Sequence, residues 1–135
     1  MILDAGVLIA AERDDATARS YFVTADRLDI DFHTSEAVVA QVWRGGARQA
    51  HLQRVLRTVE CHPLDDGRAV GRILRDSGTT DVVDAHLGLL AQRLGDDILT
   101  GDVDDLTRVM AALEPPPVAL LRPPTVLPWP PPGRG

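Results

Sequence analysis

Short apolar runs alternate with helical segments along almost all of this chain, and that alternation restricts its fold more than any other feature. "MILDAGVLIA" begins as a buried strand at Met1 and passes into a helical "AERDDATARSYFV". In "LDIDFHT", Leu28, Ile30 and Phe32 recur with the period of a strand. "TSEAVVAQVWRGG" reads as a helix with Thr34 or Ser35 as N-cap and Gly45-Gly46 as its stop. "ARQAHLQRVLRTV" sets Leu52, Val55, Leu56 and Val59 on one helical face, and "VECHPL" is a strand closed by Pro63. A helix in "DDGRAVGRILRDSG" is capped by Asp65 or Asp66 and ended by Gly78. The longest helix, in "TTDVVDAHLGLLAQRLG", follows Thr79 or Thr80 and ends at Gly95. "DILTG" is a strand, "DVDDLTRVMAAL" a helix, and Val118–Leu121 a last edge strand. Strands separated by helices predict a parallel sheet covered on both faces, an α/β fold built as a three-layer α/β/α sandwich.

At 135 residues the chain suits one domain, expected over 1–121. Nine of its ten prolines follow Glu114, so residues 122–135 are expected to be a proline-rich tail outside the core. In that tail Trp129 could serve as an anchor on a partner or on the domain itself. No run is apolar for long enough to span a bilayer, and the acid at residue 4 does not suit a signal peptide. With the single Cys61, these features predict a cytoplasmic protein with no membrane association. The net charge of −6 argues against simple coating of nucleic acid. Residues 44–75 nevertheless carry seven arginines against Glu60, Asp65 and Asp66, so local phosphate contacts remain open. The chain has no lysine, which excludes a receiver domain, since phosphoryl transfer there needs one.

The acids point to chemistry. In a parallel α/β sheet, ligands sit beyond the carboxyl ends of the strands. Asp4 follows "MIL" and Asp102 follows "ILT", so both are expected at that edge. Asp84 lies in the first turn of the longest helix, one turn beyond Asp81, where the helix terminus favours carboxylate charge. Three carboxylates converging there would raise one another's pKa, and a divalent cation removes that penalty. Oxygen-only ligands suit Mg²⁺ or Mn²⁺. Asp104 and Asp105 read first as charges favourable to their own helix, with Asp105 kept as a further candidate. Asp81 reads the same way, within reach of a metal through water.

These stretches carry a resemblance. "MILDAGVLIA", "DVVDAHLGLLAQRLG" and "DILTGDVDDL" resemble the conserved blocks of the PIN-domain family, above all the ribonuclease toxins of VapBC-type toxin–antitoxin modules. The likeness covers about residues 1–121 in matching order. It implies a Mg²⁺-dependent endoribonuclease that cleaves RNA phosphodiesters by metal-activated water. It also implies neutralisation by a small cognate antitoxin and, commonly, a homodimer. The family's metal-site and catalytic acids fall on Asp4, Asp84 and Asp102. One position departs: Gln41 stands where the family usually has glutamate, offering an oxygen but no charge. Glu36 lies five residues earlier, about 140° around the helix, and is a poor substitute. Gln41 therefore motivates an alternative, a catalytically weakened PIN domain acting as a protein- or RNA-binding module.

The remaining constellations are weaker. His33, His51, His62 and His86 show no metal-ligand spacing with Cys61, which argues against zinc. Arg44 and Arg48 suit a solvated helix face, or phosphate contacts if they border the acidic edge. The segment Ser35–Val59, with Trp43 as anchor, is the expected surface for an antitoxin or a second copy.

Overall fold

A computed structural model describes residues 1–113 and 122–132. Strand β1 (Ile2–Leu3) leads into helices α1 (Ala5–Glu12) and α2 (Ala16–Arg27). Strand β2 (Phe32–Ser35) leads into α3 (Glu36–Val42), a 3₁₀ turn at Ala47–Gln49, and α4 (Ala50–Leu56). Then follow β3 (Val59–His62), α5 (Gly67–Ser77), α6 (Val82–Leu94), β4 (Ile98–Thr100), α7 (Val103–Ala111) and β5 (Val126–Pro128). The strands form one sheet in the order β3-β2-β1-β4-β5, and every pairing is parallel. Helix α1 packs with α2, α3 and α4, while α5, α6 and α7 pack with one another. The sheet therefore lies between two helical layers, as the alternation of elements predicts.

Local chemistry sets most boundaries. Ser35 ends β2 and caps α3 through its Oγ, which accepts from the Ala37 amide; the same Oγ lies 2.6 Å from Nδ1 of the buried His86. Asp66 caps α5, and the left-handed Gly78 and Gly95 end α5 and α6. The cap of α6 is Asp81 rather than either threonine before it, since its carboxylate accepts from the Val83 and Asp84 amides. Residues 84–91 of α6 are buried without interruption, as befits a helix enclosed between a sheet and two other helices.

Three further expectations require correction. "MILDAGVLIA" is a strand only at Ile2–Leu3, because Asp4 caps a helix that starts at once, accepting from the Ala5 amide at 2.7 Å. Leu28 and Ile30 do not belong to β2: α2 runs to Arg27, Asp29 takes a left-handed φ of 53°, and Leu28 is 66% exposed. The last strand is Val126–Pro128, inside the presumed tail, whereas Val118–Leu121 falls outside the described residues. The proline is tolerated because Thr125 and Trp129 make the bonds to β4, leaving Pro128 on the outward side of an edge strand. Arg122 and Thr125 hold this segment to Asp97, and Trp129 packs edge-to-face on Tyr21 at 5.6 Å. Of the two roles open to Trp129, packing on the domain itself is the one observed.

Gly88 in α6 meets α7 so closely that a Cβ there would overlap the Val109 side chain, whereas a Cβ on Gly71 of α5 meets nothing among the described residues. The same substitution should therefore have opposite effects. Gly71→Ala should gain up to about 1 kcal/mol from helix propensity. Gly88→Ala should lose stability, because overpacking costs about 1–3 kcal/mol against that gain. Denaturant midpoints moving in the same direction for both would contradict the close approach.

Candidate metal centre

The acids meet at the carboxyl edge of the two central strands. Leu3 of β1 pairs with Leu99 of β4, and the Asp4 amide donates to the Leu99 carbonyl, which places Asp4 beside Thr100. The Thr100 hydroxyl is fully buried; it donates to Asp4 Oδ2 at 2.6 Å and accepts from the Asp102 amide at 2.9 Å. A single side chain thus fixes both the Asp4 carboxylate and the backbone that presents Asp102. Sequence reasoning missed Thr100, whose only signal was a hydroxyl residue as the last residue of the strand before Asp102.

Asp84 arrives from the opposite direction, on the first turn of α6, and is 5% exposed. Its Oδ2 is buried with no hydrogen-bond partner among the described residues. Burial, then the charges of Asp81, Asp4, Asp102 and Asp105, push its carboxyl up to about 7. Burial and Asp105 also raise Asp102. Oxygens of Asp84, Asp102 and Asp105 lie within 4.8 Å of one another; Asp84 is buried, Asp105 half-buried and Asp102 exposed. Carboxylates this close repel one another when ionised, and a cation among them relieves that repulsion.

Asp4, Asp84 and Asp102 are therefore brought to one edge, but the tightest trio substitutes Asp105 for Asp4. Asp105 lies one helical turn beyond Asp102 on α7, so both face the same side. Asp104, between them, is exposed and outside the trio. Asp4 stands beside the trio with one oxygen engaged by the Ala5 amide and the other by Thr100.

Other candidates lie elsewhere or do other work. Asp81 is the exposed cap of α6. Glu36 is exposed at the start of α3, and its charge is felt at Cys61 of β3. Gln41 is exposed on the same helix. Arg44 donates to the Ala40 and Trp43 carbonyls at the end of α3, and Arg48 is exposed in the 3₁₀ turn. The histidines, which show no ligand spacing in sequence, yield a second group once β2 and β3 pair: His33, Glu60 and His62.

An orphaned buried carboxylate oxygen among further carboxylates fits a hard divalent cation with oxygen ligands, Mg²⁺ or Mn²⁺. No protein-family model matches the chain, and no curated protein matches it. No helix among the described residues is long and apolar enough to cross a membrane.

Proposed function

We propose that this chain is a metal-dependent endoribonuclease of PIN type, the toxin of a type II toxin–antitoxin module acting in the cytoplasm. The observation that carries this reading is Asp84 Oδ2, buried without a partner and facing other acids at the carboxyl edge of a parallel sheet. Asp84, Asp102 and Asp105 would hold Mg²⁺ or Mn²⁺, with Asp4 completing the acidic face. When bound, such an ion activates water for attack on a phosphodiester and stabilises the leaving oxygen. Thr100 positions Asp4 and the Asp102 backbone, so the donor set is organised before the ion arrives. Asp102, the exposed member of the trio, faces the side from which RNA must approach. Arg44 and Arg48 would contact phosphates only if RNA bound at the acidic edge reaches the end of α3; Arg48 is exposed there, while Arg44 is held by the Ala40 and Trp43 carbonyls.

Trp43 supports an antitoxin- or self-association surface on α3 and α4. It is 38% exposed and lines a shallow apolar depression with Val39, Gln53, Leu56 and Arg57.

Incubation with total RNA tests the activity. Cleavage should vanish in EDTA and return with Mg²⁺ or Mn²⁺, and cleavage that survives chelation would overturn the assignment. Gln41, an uncharged amide where the resemblance expects glutamate, favours a second reading as a binding module. RNA retained by the metal-loaded protein without cleavage would select that one.

A further inference from the structure

The parallel pairing of β2 and β3 creates a donor set that the proposed nuclease reading does not use. His33 stands directly opposite Glu60 in the ladder, and His62 follows Glu60 by two residues. All three side chains therefore project from the same face of the sheet, with Cys61 on the other. His33 Nδ1 lies 3.0 Å from His62 Nε2 and 3.4 Å from Glu60 Oε2, and His62 Nε2 lies 3.9 Å from Glu60 Oε1. In a tetrahedral zinc site with bonds of about 2.0–2.1 Å, ligand atoms are separated by about 3.3 Å. The three observed separations straddle that value. The site lies across the sheet from the acid trio: its ligands come from β2 and β3, whereas Asp4 and Asp102 follow β1 and β4, and although His62 is level with Ser35 at the end of β2, His33 is level with Ile2.

We propose that His33, Glu60 and His62 form a second cation site that takes a borderline divalent transition metal, with Zn²⁺ as its probe. Two imidazole nitrogens and a carboxylate are the donors of known three-ligand zinc centres, whereas the all-carboxylate trio suits Mg²⁺ or Mn²⁺. The imidazoles are mostly enclosed, at 15% and 21% exposed, while Glu60 is 67% exposed. The ion is thus gripped from the sheet and open to solvent on the carboxylate side, where water completes the shell. In the metal-free protein one of the facing ring nitrogens carries the proton of the contact and the other a lone pair. Binding moves that proton to the remote nitrogen of the same ring, so two lone pairs face the ion and neither ring changes charge. Because the ligands sit on two paired strands, little rearrangement is needed.

Titration of the untagged chain with Zn²⁺, in excess Mg²⁺ added to compete at the acid trio, tests the proposal by calorimetry and by histidine NMR. One equivalent of Zn²⁺ should bind and shift the ring resonances of His33 and His62, leaving the exposed His51 unmoved. Co²⁺ should give the visible absorption of a four-coordinate ion. His62→Asn should weaken Zn²⁺ binding by more than the roughly 10–100-fold that follows loss of an outer-shell partner. Glu60→Gln, at an exposed position that leaves the fold undisturbed, should weaken it by about tenfold or more. Absence of Zn²⁺ binding in excess Mg²⁺, or binding unaltered in both variants, would overturn the site. RNA cleavage enters none of these measurements, so the outcome is independent of the nuclease proposal.

Discussion

Asp84→Asn is expected to reduce Mg²⁺-dependent RNA cleavage by about 10²–10³-fold or more, the scale on which loss of one electrostatic stabiliser in an active site is felt. The residue has the most enclosed carboxylate of the cluster, and its Oδ2 has no partner among the described residues to satisfy it. Asparagine keeps the size and one acceptor oxygen but withdraws the charge that would bind the cation. The substitution is clean because Asp84 caps no helix with its side chain; that work belongs to Asp81. Asp4→Asn is a poorer test. The Asp4 carboxylate accepts from the Ala5 amide and from Thr100, so the amide variant leaves one of those donors without its acceptor. Asp104→Asn is the matched control, an exposed acid beside the trio and outside it. Full cleavage by the Asp84 variant, or equal loss in the Asp104 variant, would place the chemistry elsewhere.

The parts of the fold that were legible in sequence are those written in short-range chemistry. Ser35, Asp66, Gly78 and Gly95 end or begin helices through bonds spanning a few residues, and each does so where the pattern put it. Alternation alone misled at Leu28 and Ile30, because a period of two cannot tell a strand from a polar turn that happens to alternate. The edge strand in the proline-rich segment was hidden for a different reason. Composition argues against a ladder, but only one side of β5 bonds to β4, and Pro128 faces the other way. The convergence of Asp4, Asp84 and Asp102 was legible because strand ends and helix starts in a parallel sheet lie at a common edge, whereas the approach of Asp105 to the same acids was not, since it read first as a helix-terminal charge. Thr100 and the His33–Glu60–His62 group depend on which strands become neighbours, and ladder register is not written locally.

The metal-free protein should also show the cluster's repulsion as a stability that falls with rising pH. Asp84 titrates near 3.9 in an unfolded chain and is pushed up to about 7 in the folded one by burial and by Asp81, Asp4, Asp102 and Asp105. Between those values the unfolded chain releases its proton first, so each step up in pH favours unfolding; the contribution is intact below about pH 4 and lost by about pH 7. Three pH units correspond to about 4 kcal/mol, on the order of 10 °C in Tm for a domain of this size. Asp102, raised by burial and Asp105, acts in the same sense. His86 acts in the opposite sense, since burial holds it below the ordinary histidine value and acid must charge it on unfolding. The difference between wild type and Asp84→Asn cancels the histidine contribution. The metal-free variant should be the more stable of the two at pH 8, and the gap should close as the pH falls to 4. Mg²⁺ should raise the wild-type Tm at pH 8, where the Asp84 carboxylate is free to bind it, and have a smaller effect at pH 4, where a proton holds Asp84. Equal melting of the two proteins at pH 8, or a gap that widens in acid, would mean that Asp84 is not held against its charge.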